Sequence, residues 1–128
     1  MENKQIVQGK DIAFNRKALE NKKTSMLILN HTNKKDKLKQ RDSGLNQVLC
    51  KIAKDSNIIL AIDLKELTKE TDKKNKAIIL GRIIQNIRLI KKFKNKLKLL
   101  NSGNKQQAFS FLLTLGLPTK QAVEAVNN

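Results

Sequence analysis

The chain has 128 residues, and 27 basic against 11 acidic side chains give it a formal charge of +16 at pH 7. This length fits one domain, and a composition with 39% hydrophobic residues excludes a wholly disordered chain. We therefore expect a single α/β domain over residues 1–128. Four Phe are the only aromatic residues, which argues against a protein that reads bases mainly by aromatic stacking.

The positive charge is concentrated in the second part of the chain. Residues 1–72 carry 15 basic and 10 acidic side chains, whereas residues 73–128 carry 12 basic and one acidic side chain. A polyanion, most often RNA or DNA, is the partner that such a surface attracts. The alternative is a solvated lysine-rich surface that binds nothing. Because residues 73–123 contain no carboxylate, they cannot neutralise themselves, which favours a surface that faces phosphates.

Cysteine usage and hydropathy indicate the compartment. Cys50 is the single cysteine, so no internal disulfide forms, and a reducing setting is the simplest interpretation. The first residues lack the apolar core of a signal peptide, and no run reaches the length of a membrane span. We expect a soluble, cytoplasmic protein that does not contact membranes.

The first part of the chain alternates strand and helix patterns. Residues 5–8 and 26–29 are predicted strands, separated by a helix that Asp11 caps and that runs to about Asn21. Residues 31–41 are a basic loop. Ser43 is the predicted N-cap of a second helix to about Asn57, whose apolar stripe is Leu45, Val48, Leu49 and Ile52.

A buried-type strand over residues 58–62 and a short helix or turn over 63–69 follow. Asp72 opens the longest helix, which runs to about Lys94. Its predicted main stripe is Ala77, Leu80, Ile83, Ile84, Ile87 and Ile90, and its second, narrower stripe is Ile78, Leu89 and Phe93. A strand over residues 96–100 and helices over 108–115 and 119–126 complete the chain.

Strands that alternate with helices predict a parallel sheet covered by helices. Four strands are few for such a fold, and a closed barrel of eight units needs about 200 residues or more. The fold class that we predict is therefore an incomplete TIM-barrel-like α/β fold.

Catalytic and metal-binding patterns are absent. His31 is the single histidine, and with one cysteine it cannot build a zinc site at the usual ligand spacing. No phosphate-cradling glycine motif occurs. Cys50 is expected to be a small core residue, and a Mg²⁺ site from Asp42, Asp63 and Asp72 is a weak hypothesis. We expect no catalytic residue, metal or other cofactor.

The basic side chains supply the candidate site. They cluster before the second helix, along the longest helix and around the last strand. The residues that we predict to bind RNA are Lys37, Lys39, Arg41, Arg82, Arg88, Lys91, Lys92, Lys94 and Lys105. The planar guanidinium of Arg82 suits phosphate or a guanine edge. The alternative for Arg82 is a salt bridge on the helix surface, to Asp42 or Asp63.

Four segments resemble ribonuclease P protein component 3, the barrel-type protein subunit of archaeal and eukaryotic ribonuclease P. They are residues 41–49 (RDSGLNQVL), residues 80–89 (LGRIIQNIRL) followed by 92–94, residues 109–126, and more weakly residues 8–11 with 15–16. Together they span about residues 6 to 126. Family members usually begin with further strand–helix units. The family also carries an arginine in the loop before the last helices, where this chain has Lys105.

The resemblance implies a non-catalytic role. Family members stabilise the catalytic RNA that removes the 5′ leader from precursor tRNA, and they pair with ribonuclease P protein component 2. Unpaired strand edges in an incomplete barrel also predict association with a second copy or a separate chain. The alternatives are a general scaffold that binds RNA or a protein partner and, less favoured, a metal-dependent phosphoesterase. The end of the chain also resembles a small ubiquitin-associated helical domain.

Overall fold

The computed structural model describes residues 4–32 and 43–127. Their strands are β1 (Gln5–Gln8), β2 (Thr24–Leu29), β3 (Ile59–Asp63) and β4 (Leu97–Leu100). Their helices are α1 (Ile12–Glu20), α2 (Gln47–Asp55), α3 (Lys65–Thr68), α4 (Lys73–Phe93), α5 (Lys105–Thr114) and α6 (Thr119–Val126). The order of elements is the predicted one. The basic loop over residues 31–41 lies mostly outside the described residues.

The four strands form one parallel sheet in the order β1-β2-β3-β4, which confirms the predicted fold class of a parallel sheet with covering helices. Because all strands run the same way, every strand begins at one edge of the sheet and ends at the other. We call these the amino edge and the carboxyl edge. Helices α1, α2, α4 and α5 each return the chain from the carboxyl edge to the amino edge, as parallel pairing requires.

One face of the sheet carries the core. Val7, Leu27, Leu60 and Leu97 lie opposite one another in register, and Leu29, Ile62 and Leu99 form the next row. These rows pack against buried side chains of the helices, among them Leu49, Ile83, Ile87, Ile90 and Leu112. The buried leucine and isoleucine residues on this face supply every second position of the apolar runs in β2 and β3.

The other face of the sheet is largely apolar, although none of its residues belongs to that core cluster. We call it the second face. Its apolar residues are Ile6, Met26, Ile28, Ile59, Ala61 and Leu100, and Gln8, Asp63 and Lys98 lie on the same face. Ile6 on β1 is 64% exposed. Within the described residues β1 has a strand neighbour on one side only. An apolar sheet face next to an exposed edge strand is a surface on which another element can pack.

Helix ends follow the predicted caps, with one correction. Asp11 caps α1 by accepting from the backbone N–H of Phe14, and Asp72 caps α4 by accepting from Lys74 and Asn75. Ser43 is not the N-cap of α2. Its hydroxyl donates to the carbonyl of Leu45, and Asn46 caps the helix by accepting from the N–H of Leu49.

The buried face of α4 also differs from the predicted stripe. The buried residues are Ile79, Arg82, Ile83, Asn86, Ile87 and Ile90. Ala77 is exposed, and Leu80 and Ile84 are half-buried. Two polar side chains therefore occupy the buried side of α4. None of the helices in the described residues has the length and apolarity needed to cross a membrane.

Candidate nucleic-acid interface

The predicted RNA-binding residues that the structure describes do not form one surface. Lys37, Lys39 and Arg41 lie outside the described residues. Lys105 begins α5 directly after β4 and lies at the carboxyl edge. The other predicted residues lie on α4 or at its end, and Arg88, Lys91, Lys92 and Lys94 among them are exposed towards the amino edge.

Strand β4 separates the two groups. Lys94 lies before this strand, at the amino edge, and Lys105 lies after it, at the carboxyl edge. The four residues of β4 extend about 13 Å. Lys105 and Lys94 therefore cannot contact the same phosphate. Helix α4 has 21 residues and spans about 31 Å from Lys73 to the amino edge.

A basic groove lies at the amino edge. It has a volume of about 620 Å³ and is lined by Lys54, Lys91, Lys94, Asn95, Lys96, Pro118, Lys120, Gln121 and Glu124. We call it the amino-edge groove. Its five lysines are exposed, and Glu124 is its one carboxylate. Among the described residues, no carboxylate forms an ion pair with any of these five lysines. The groove therefore presents positive charge that the neighbouring side chains do not neutralise.

The groove is built where three helices and a strand meet. Lys94 ends α4 in a left-handed conformation with φ 54° and ψ 39°, so the chain turns sharply into β4. Lys54, in the last turn of α2, donates from Nζ to the carbonyl of Lys94 at 2.9 Å. Gln121 of α6 donates from Nε2 to the carbonyls of Ile90 and Asn95, each at 3.1 Å. These contacts attach α2 and α6 to the end of α4.

Asn95 connects the groove to the core. Its side chain is buried, and Nδ2 donates to the carbonyl of Cys50 at 2.9 Å. Its backbone N–H donates to the carbonyl of Ile90 at 3.1 Å, which closes the end of α4. The floor of the groove is thus held by hydrogen bonds to two helices.

Sequence reasoning did not select three of the groove lysines, Lys54, Lys96 and Lys120. They come from α2, the start of β4 and the first turn of α6. Their separation along the chain hides the cluster, because only the packing of α2 and α6 against α4 brings them together. The sequence feature that indicated a basic surface in this part of the chain is the low count of acidic residues after Asp72.

Arg82 occupies a different environment from the other predicted residues. Its side chain is buried, with 4% of the residue exposed, and Nη1 donates to the carbonyl of His31 at 3.0 Å. Asp63, one of the two predicted partners of Arg82, accepts from the N–H of Lys65 and from Asn101, and Asp42, the other, lies outside the described residues. Arg82 therefore connects α4 to the loop after β2 and is not on the helix surface.

His31 and Asn86 are also buried polar side chains at the carboxyl edge. His31 Nδ1 lies 2.9 Å from Oε1 of Glu66 in α3, and the backbone N–H of His31 donates to Oε2 of Glu66 at 3.0 Å. Asn86 Nδ2 contacts His31 Nε2 at 2.9 Å and the carbonyl of Ser43 at 3.0 Å. Buried polar groups need such partners. His31 follows β2 as the sequence predicts, and it binds α3 and α4 to that strand end.

Asn15 makes the corresponding connection for α1. It is buried, donates from Nδ2 to the carbonyl of Gly44 at 2.8 Å, and accepts from the N–H of Lys10 at 2.8 Å. These hydrogen bonds fix the carboxyl edge on both sides of residues 33–42. Polar side chains at this edge therefore hold the structure together.

Cys50 lies in the core, as the sequence predicts. Cys50 is buried, and desolvation raises the pKa of its thiol from 9.0 to about 12, so it is not a thiolate nucleophile near neutral pH. Within residues 4–32 and 43–127, no three His, Cys, Asp or Glu side chains are grouped so that they could hold a metal ion.

The fold defines a class, a parallel α/β protein with a four-stranded sheet and covering helices. No family model and no curated protein matches the chain. A solved structure with a similar fold is the cryo-EM structure of archaeal ribonuclease P with mature tRNA. One chain of that structure superposes with a TM-score of 0.73 and 24% sequence identity over 94% of this chain. The alignment covers 53% of that chain, so the present chain spans about half its length.

Proposed function

We propose that the protein is a non-catalytic subunit of ribonuclease P that binds and stabilises the catalytic RNA. The observation that carries this proposal is the structural likeness, over 94% of this chain, to a chain of an archaeal ribonuclease P. The charge of +16 supports it, because a subunit that contacts RNA must attract phosphates. Exposed Arg88, Lys91, Lys92, Lys94 and Lys105 are the described residues that we propose as RNA contacts, with Lys37, Lys39 and Arg41 outside the described part.

The reaction served is the removal of the 5′ leader from precursor tRNA, and the proposed partners are the RNA subunit, precursor tRNA and ribonuclease P protein component 2. The test is reconstitution of the holoenzyme with and without this protein at low Mg²⁺ concentration. We expect cleavage to slow when the protein is omitted, because fewer cations then neutralise the folded RNA. Unchanged cleavage would contradict the proposal.

We propose further that a second copy or a separate chain covers the second face of the sheet and completes the barrel. Ile6 at the exposed edge strand and the apolar residues beside it support this part of the proposal. Sedimentation of the purified protein, alone and mixed with the partner subunits, measures the association. Ile6→Lys is expected to weaken it, because the charge would be buried in the interface. A stable monomer that remains unassociated with the partners would overturn this part.

A further inference from the structure

We propose that the amino-edge groove is a binding site for the phosphodiester backbone of RNA and that it holds the backbone without reading the base sequence. The proposal rests on the proposed function for its choice of RNA as the polyanion. Its position does not depend on that function, since the groove is a feature of the fold.

The charge in the groove exceeds what the fold itself needs. Lysines at the ends of α2 and α4 are expected in any protein, because they complement the partial negative charge of helix carboxyl ends. Lys54 plays this role when it donates to the carbonyl of Lys94 at 2.9 Å. Lys96 and Lys120 are different. Lys96 precedes β4, and Lys120 lies in the first turn of α6, where the helix dipole disfavours a cation.

The chemistry of the lining indicates the kind of contact. The groove is lined by five lysines and contains neither arginine nor an aromatic residue. Arginine makes the bidentate contacts that identify a guanine, and aromatic rings stack on bases. Lysine acts as a point charge on a flexible stem, which suits a phosphate of any nucleotide. We therefore expect affinity that depends strongly on salt and weakly on sequence.

The architecture makes the groove rigid enough to be a site. Gln121 attaches α6 to the carbonyls of Ile90 and Asn95, and buried Asn95 attaches the turn after α4 to α2 through the carbonyl of Cys50. The backbone positions that carry the groove lysines are consequently fixed relative to one another before any ligand arrives. Such preorganisation lowers the cost of binding.

The test compares two triple variants that remove the same charge from opposite ends of α4. The groove variant is Lys91→Gln, Lys96→Gln and Lys120→Gln. The matched control is Lys73→Gln, Lys74→Gln and Lys76→Gln, which changes three exposed lysines near the carboxyl edge. Fluorescence anisotropy with labelled oligouridine, oligoadenosine and an RNA duplex measures Kd at several potassium chloride concentrations.

For the groove variant we expect the slope of log K against log salt to decrease by about 2 to 3, because each lost phosphate contact contributes about 0.7 to 0.9. The control should retain most of the affinity and slope of the unchanged protein. Equal weakening by both variants would overturn the location of the site, as would an unchanged slope in the groove variant. A tenfold or larger preference between oligouridine and oligoadenosine would overturn the sequence-independent mode.

Three further measurements separate loss of charge in the groove from misfolding and from failure of the ribonuclease P role. Circular dichroism and thermal unfolding check that both variants fold. A Lys→Arg triple variant at positions 91, 96 and 120 should retain the salt slope, because it keeps the charge. Reconstituted ribonuclease P separates the two proposals. If omission of the protein leaves cleavage unchanged while the groove variant still loses RNA affinity, the ribonuclease P role fails and the groove assignment stands.

Discussion

Asn86 determines which ring nitrogen of His31 accepts a hydrogen bond. Asn86 Nδ2 lies 2.9 Å from His31 Nε2 and 3.0 Å from the carbonyl oxygen of Ser43. Because a carbonyl only accepts, the nitrogen of the Asn86 amide must face Ser43, and it then donates to His31 as well. His31 Nε2 therefore accepts, and the ring proton is on Nδ1, where it is donated to Glu66 Oε1 at 2.9 Å.

This geometry predicts the Nδ1–H tautomer for His31 in the folded protein. Long-range ¹H–¹⁵N correlation spectra distinguish the two ring nitrogens, and we expect the pyrrole-type nitrogen to be Nδ1. In Asn86→Leu the donor to Nε2 is lost, so the tautomer should no longer be fixed. Detection of a proton on Nε2 in the unchanged protein would contradict the hydrogen-bond assignment.

The two arginines of α4 should behave differently when replaced by alanine. Arg82→Ala removes a buried side chain that donates to the carbonyl of His31, so we expect the free energy of unfolding to decrease by about 2 to 4 kcal/mol. Arg88 is exposed, and Arg88→Ala should leave stability within about 0.5 kcal/mol while it weakens RNA binding.

Urea denaturation and RNA binding, measured on the same two variants, check this prediction. Equal stability of the two variants would show that the buried hydrogen bond of Arg82 contributes little. An RNA affinity of Arg88→Ala that equals that of the unchanged protein at all salt concentrations would remove Arg88 from the proposed contacts.

Alanine substitutions at Gly9 and Gly103 should destabilise the protein for different reasons, crowding at Gly9 and backbone strain at Gly103. A Cβ at position 9 would lie 2.6 Å from the carbonyl oxygen of Ile28 and 3.0 Å from Asn15 Oδ1, so the strand end would have to move. Gly103 has open space around it and a φ of +66°. We expect Gly9→Ala to cost about 3 kcal/mol, by overpacking. Gly103→Ala should cost about 1 kcal/mol, by strain alone. Thermal unfolding measures both, and a reversed order would be inconsistent with the close packing of β1 against β2.

Cys50 should be chemically inert in the folded protein. Burial raises the pKa of its thiol from 9.0 to about 12, so the thiol remains protonated where an exposed cysteine already forms thiolate. The raised pKa means that this group favours the folded state below pH about 9 and loses that contribution as the pH rises towards 12.

Labelling with a thiol-reactive disulfide at pH 8 measures this protection. We expect the folded protein to react roughly 1,000-fold more slowly than the urea-unfolded chain, because reaction requires opening of the core. The unfolded chain is the internal control. Rapid labelling under native conditions would place Cys50 at an accessible position.

Local sequence signals predicted most of the architecture. Strand runs and helix stripes fix element types, because each periodicity reports which side of an element is buried. The cap of α2 shows the limit of such signals. Ser43 and Asn46 are both residue types that cap helices, and they stand within one turn of each other. Asn46 caps α2, whereas Ser43 is buried and donates to the carbonyl of Leu45.

Features that depend on partners distant in sequence were not predictable. A hydropathy stripe cannot include Arg82 and Asn86, since their burial depends on His31 and Ser43, more than 40 residues away. The amino-edge groove has the same origin. Lys54 and Lys120 are ordinary surface lysines until α2 and α6 pack beside the end of α4.

The parallel strand order has a consequence for how substitutions combine. Lys105 begins α5, a helix of 10 residues that is about 15 Å long, and Lys120 lies in the helix that follows. The two side chains are therefore separated by more than one screening length. Changes at Lys105 and at Lys120 should therefore add in free energy, whether the quantity measured is folding or RNA binding.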